Sequence, residues 1–100
     1  MTILISLCTF KQRLETQRAL LRAMCEKFPN SKIRLDGRRF TIRYGEHRII
    51  FLPAEPDKIA GRECDYFFTN SYDVAEYLKY RCRCGELDDY MDILNILKEG

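Results

Sequence analysis

Seven of the nine cations between positions 13 and 43, namely Arg13, Arg18, Arg22, Lys32, Arg34, Arg39 and Arg43, are the richest chemically capable set in this sequence. Arg39 and Arg43 alternate with apolar residues, and Lys32 and Arg34 precede them across a turn signal. A strand period brings such cations to one side of a hairpin, where they can follow a phosphate backbone or an acidic protein surface. Phe40, Ile42 and Tyr44 occupy the opposite parity, so this face carries no interleaved aromatic for stacking bases. A charged strand face has a second physical meaning, because it keeps an edge strand from pairing with another chain.

The other reactive types are sparser. Cys82-Arg83-Cys84 could join Cys64 and His47, the only histidine, around a metal. A zinc site normally shows two separated ligand pairs, and a C-x-C is not the redox C-x-x-C. Neither metal nor cofactor is expected. His47 stands in a turn with no identifiable thiol or carboxylate partner. Asp88, Asp89 and Asp92 read as an acidic helix start, favourable beside the helix dipole. Five cysteines with no secretion signal argue for reduced thiols in the cytoplasm. Cys8, Cys25 and Cys64 lie inside apolar segments and are expected to act as small core residues.

One hundred residues, 46% hydrophobic and 32% charged, suggest a single globular domain over 1–100. The apolar run Ile3-Leu4-Ile5 is broken by Ser6 and is too short for a membrane span, so no membrane association is expected. The net charge of +2 hides an asymmetry. Residues 11–48 carry eleven Lys/Arg against four Asp/Glu, whereas residues 49–100 carry six against eleven. A basic first half and an acidic second half either complement each other on folding or steer a charged partner.

The elements that must position these residues follow from their periodicity. Thr2 to Cys8 reads as a strand apolar on both faces, as in a sheet covered on both sides. Thr9-Phe10-Lys11-Gln12 fits a capping box for a helix to about Phe28, with Leu14, Leu21, Met24, Cys25 and Phe28 as its apolar face. Ile33 and Leu35, the turn signal Asp36-Gly37, and Phe40, Ile42 and Tyr44 predict a hairpin. Gly45-Glu46 turns it into a third strand, Arg48 to Leu52, closed by Pro53. A helical turn over 56–61 precedes an apolar strand, Cys64 to Thr69. Asn70 or Ser71 then caps a helix carrying Val74, Leu78 and Cys82 on one face and ending at Gly85. A last helix spans about Glu86 to Lys98. The fold class expected is α/β: a small mixed sheet with the order strand, helix, three-strand meander, strand, helix, helix.

The segment Lys58-Ile59-Ala60-Gly61-Arg62-Glu63-Cys64-Asp65-Tyr66-Phe67-Phe68-Thr69-Asn70-Ser71, with the preceding Gly45 to Gly61, resembles part of the ATPase core of phage terminase large subunits and related helicase-like enzymes. The resemblance covers residues 2–75. It implies a strand that would end in a metal-side aspartate and a catalytic glutamate, but those positions hold Asn70 and Ser71. The phosphate loop G-x-x-x-x-G-K-[ST] is absent. Neutral side chains cannot balance Mg²⁺ or orient a water as carboxylates do, so the resemblance implies a degenerate, ATPase-like core without turnover.

These readings together lead to a non-catalytic small protein of the cytoplasm. It is expected to be an adaptor or inhibitor that binds a protein partner, of the kind phages encode against host machinery. The alternative is a nucleic-acid-binding accessory protein that uses the basic hairpin face. The acidic second half favours the protein partner, because it would repel a nucleic acid wrapped broadly around the domain.

Overall fold

A computed structural model describes residues 1–37 and 40–99. The chain runs β1 (Thr2–Leu7), α1 (Phe10–Lys27), β2 (Ile33–Asp36), β3 (Thr41–Tyr44), β4 (His47–Pro53), α2 (Pro56–Ile59), β5 (Cys64–Thr69), α3 (Tyr72–Leu78), β6 (Cys82–Glu86), a 3₁₀ turn at Tyr90–Asp92 and α4 (Ile93–Glu99). The six strands form one mixed sheet in the order β2-β3-β4-β1-β5-β6. β1 lies parallel between β4 and β5, β6 is parallel to β5, and β3 pairs antiparallel with both β2 and β4. This is the α/β class expected, with one strand more.

Two cores explain the layering. Ile3, Ile5, Leu7, Ile42, Ile49 and Phe51 point to one face of the sheet, under Leu20 and Met24 of α1 and Ile93 and Leu97 of α4. Leu4, Ile50 and Phe67 point to the other, under Ile59 of α2 and Val74 and Leu78 of α3. Helices therefore cover both faces, and β1 needs apolar residues at successive positions. Among the described residues no helix is long and apolar enough to cross a membrane.

The capping box forms as the sequence predicts. Gln12 N–H donates to Thr9 Oγ1 and Thr9 N–H donates to Gln12 Oε1, each at 3.1 Å. The buried stripe of α1 is Gln17, Leu20 and Met24. Cys25, the next residue round the helix after Met24, faces solvent, and Cys8 lies past the end of β1, so both expected core thiols are exposed and Cys64 alone is buried.

Three local readings change. The last helix does not begin at about Glu86: that residue ends β6, and α4 starts at Ile93 after the 3₁₀ turn, where Asp89 Oδ1 accepts from Met91 N–H at 3.0 Å, so Asp88 and Asp89 precede the helix rather than open it. In the first hairpin Asp36 still pairs, with Thr41, so the turn is not the two-residue one that Asp36-Gly37 signals. Phe40 adopts φ 51°, strained for an aromatic residue, and its carbonyl accepts from Phe51 N–H. Its ring packs between Phe10 and Phe51 at centroid distances of 5.9 and 5.7 Å. The largest change is β6, which lies where the sequence pattern continues the helix to Gly85. α3 stops at Leu78, whose carbonyl accepts from Arg81 N–H. The chain then pairs with the outer edge of β5, which would otherwise leave its backbone groups unpaired. β6 carries one extra residue against β5 at Cys64–Tyr66, and Gly85 takes φ 125° there.

Thr9→Ala removes half of the capping box. It should destabilise the domain by about 1 kcal/mol, a fall of roughly 4–8 °C in melting temperature, measured by circular dichroism. An unchanged melting temperature would mean that the box adds nothing to the stability of α1.

Candidate functional site

The carboxyl ends of β1 and β5 come first, because the chain leaves β1 towards β4 on one face and leaves β5 towards β6 on the other. Open α/β sheets hold ligands in the crevice at such a switch point. Here the protein's own groups bridge it. Asn70 Oδ1 accepts from Cys8 N–H, and Asn70 Nδ2 donates to Gln12 Oε1, both at 3.0 Å. Ser71, not Asn70, caps α3, its Oγ accepting from Val74 N–H. The two polar residues at the end of β5 thus tie the β1–α1 junction and start a helix.

The cations are arranged differently. The cross-strand pairs Arg34↔Arg43 and Arg43↔Arg48 put three arginines in one row across β2, β3 and β4. The row follows from the turn Gly45-Glu46, a two-residue loop with Gly45 at φ 58°. The positive first position of such a hairpin loop suits glycine. With Tyr44 opposite His47, the residues one step further out, Arg43 and Arg48, must face each other. They lie on the face of Leu4 and Ile50, beyond the cover of α2 and α3.

Arg62 joins them. Ile59 is anchored in the second core, Gly61 turns the chain at φ 76°, and Arg62 N–H donates to Ile59 carbonyl at 3.1 Å. Arg62 then lines, with Thr41, Arg43, Arg48, Ile50 and Leu52, a hollow of about 300 Å³. Arg48 donates to Thr2 Oγ1 at 3.3 Å. Among the described residues no salt bridge engages Arg34, Arg43, Arg48 or Arg62. Asp36, a carboxylate on the same face as the row, is in register with Thr41, one step beyond it.

Of the seven cations singled out in the sequence, the structure brings Arg34 and Arg43 together. Lys32 lines a separate hollow with Tyr44, His47 and Leu97. Arg13 serves the fold, donating to Leu7 carbonyl at 2.7 Å with its guanidinium 5.9 Å from the Phe10 ring centroid. Arg18 and Arg22 are exposed on α1, which packs on the opposite face of the sheet. Arg39 lies outside the described residues. Sequence reading missed Arg48 and Arg62. The first was available from the symmetry of the Gly45-Glu46 turn, whereas the second depends on how α2 crosses the sheet.

The thiols gather without forming a metal site: no group of three or more potential ligands occurs among the described residues. Cys64 and Cys82 are cross-strand neighbours. Burial, with the Cys82 thiol beside it, pushes the Cys64 thiol far above its usual range, so it stays protonated and unreactive. Cys82 Sγ–H donates to Asp65 carbonyl at 2.9 Å.

No family model, curated protein or solved structure matches this chain.

Like charges directly opposite each other on a sheet destabilise it by roughly 0.2–1 kcal/mol per pair. Arg43→Gln with Arg48→Gln should therefore raise the melting temperature at about 0.01 M salt. The wild type should gain stability towards about 1 M salt, where the screening length falls from about 30 to about 3 Å, and the variant should lose that gain. A less stable variant at low salt would show that the row is compensated within the fold.

Proposed function

We propose that this domain is a non-catalytic nucleic-acid-binding accessory protein of the cytoplasm that docks a phosphate backbone on the arginine row. The observation that carries the reading is the cross-strand alignment of Arg34, Arg43 and Arg48, extended by Arg62, without carboxylate partners among the described residues. The guanidinium fork matches phosphate geometry and can bind it through two parallel hydrogen bonds. An incoming polyanion would also relieve the repulsion within the row. Asp88, Asp89 and Asp92 follow the carboxyl end of β6, whereas Arg48 and Thr2 lie at the amino ends of their parallel strands. Those three acids therefore need not oppose a polyanion on this shelf, whereas Glu63 and Asp65 lie at its amino end: Glu63 lines a hollow with Arg62, and Asp65 Oδ2 accepts from Thr2 N–H at 2.8 Å.

Absence of turnover belongs to the same proposal. A core of the ATPase kind whose strand-end acids are replaced by Asn70 and Ser71 could keep a polyanion-binding role without hydrolysis. Its switch-point crevice is bridged by Asn70 and Gln12.

The second reading is a protein partner bound by an adaptor or inhibitor, the phage-encoded kind acting in host cytoplasm. It is favoured by β2, an edge strand beside the row on which Leu35 is 49% exposed. An acidic segment could add to that edge as a further strand.

Binding to arbitrary DNA or RNA, measured by anisotropy across salt, separates the two. The logarithm of affinity should fall linearly with the logarithm of salt, by about 0.9 per duplex phosphate neutralised or about 0.7 per single-strand phosphate. Arg43→Ala with Arg48→Ala should flatten that slope by roughly one to two phosphate equivalents. Absence of salt-dependent binding would overturn the nucleic-acid reading. Capture of an acidic protein whose association slows in the same variant would then support the protein-partner reading.

A further inference from the structure

Arg62 belongs to two hollows. One holds Arg43, Arg48, Ile50 and Leu52. The other, of about 400 Å³, is lined by Gly61, Arg62, Glu63, Tyr80 and Arg81. The basic row therefore continues round the amino end of the sheet to an aromatic ring. Tyr80 sits in the turn between α3 and β6 and is 78% exposed. The turn is held by Arg81 N–H donating to Leu78 carbonyl at 2.9 Å. Arg81 is itself fixed, its guanidinium 4.0 Å from the Tyr77 ring centroid and its Nη1 donating to Tyr77 carbonyl at 3.2 Å. Lys79 lies over the Tyr80 ring at 5.2 Å and pairs with Glu76 at 3.1 Å. With most of Tyr80 exposed, its ring is accessible, with a cation close by for a phosphate.

A large aromatic held out in water beside a line of cations has no packing role in this fold. We propose that the anionic partner is single-stranded nucleic acid, its phosphates following Arg34, Arg43, Arg48 and Arg62 and one base stacking on Tyr80. This rests on the phosphate-binding reading above and narrows it. Every base has a π face, so such a platform tolerates sequence, and the base must already be out of a duplex to reach it. The hairpin face supplies only cations. The stacking element comes from the α3–β6 turn, which is adjacent in space and distant in sequence.

The test compares three fluorescent probes of one length at one salt concentration: oligothymidylate, an abasic oligonucleotide and a duplex. Wild type should bind oligothymidylate more tightly than either other probe. Tyr80→Ala should weaken oligothymidylate binding by about 5- to 150-fold, the worth of one stacked base, and leave the abasic probe unchanged. Tyr80→Phe should retain binding. Tyr72→Ala, altering an equally exposed tyrosine (77%) at the start of α3 and the other end of the sheet, should have no effect. Equal binding of duplex and oligothymidylate, or a Tyr80→Ala loss that is absent or also appears with the abasic probe, would overturn the inference. If Arg43→Ala with Arg48→Ala still weakens all three probes, the phosphate-binding reading survives that failure. If wild type binds none of the three, both readings fall.

Discussion

β1 is the strand on which the rest of the molecule depends. Ile3, Leu4 and Ile5 have no solvent exposure, and they feed the cores on both faces of the sheet in turn. Parallel partners on both sides use up the backbone groups of β1 as well. Removing any one of these side chains to alanine would cost about 2–5 kcal/mol, out of a total of about 5–15 kcal/mol for a typical domain. The register of β1 also fixes everything beside it. Thr2 lies opposite Arg48 and Leu4 opposite Ile50, which sets the amino end of β4 and, through one tight turn, the amino end of the shelf.

The arginines divide according to whether the fold uses their charge. Arg13 closes the β1–α1 junction by donating to Leu7 carbonyl, and Arg81 braces the end of α3 against Tyr77. Arg34, Arg43 and Arg48 oppose one another in register, an arrangement that works against folding. Exposed cations on a helix can turn away from their neighbours, but adjacent strands about 4.8 Å apart hold theirs together. That fixed density of positive charge distinguishes the shelf from Arg18 and Arg22, which are exposed on the far face. The switch-point crevice shows the opposite economy, since Asn70 and Gln12 satisfy each other and the backbone around them.

Much of the architecture was legible because the periodicities are local. The doubly apolar β1, the Thr9–Gln12 box, the meander and the apolar β5 each carry their own pattern, and the structure contains all of them. β6 was not legible, because Cys-Arg-Cys-Gly-Glu has no apolar alternation. Val74, Leu78 and Cys82 also share a helical spacing, and only the free edge of β5 draws the last of them into a strand. The site divides in the same way. Arg34 and Arg43 could be read from alternation and Arg48 from the turn, but Arg62 and Tyr80 reach the shelf through two crossovers that no window of sequence contains. Lys32 precedes the first residue of β2, where strand alternation no longer governs its direction.

The most direct test of the charged shelf is to watch the guanidinium groups themselves. Side-chain Nε–H resonances of the arginines can be followed by NMR while single-stranded oligonucleotide is added to isotopically labelled protein. The account predicts that Arg34, Arg43, Arg48 and Arg62 shift together and saturate at one stoichiometry, while Arg13, held by Leu7 carbonyl, stays in place. Shifts confined to Arg18 and Arg22 on α1, or none among the four shelf residues, would contradict it.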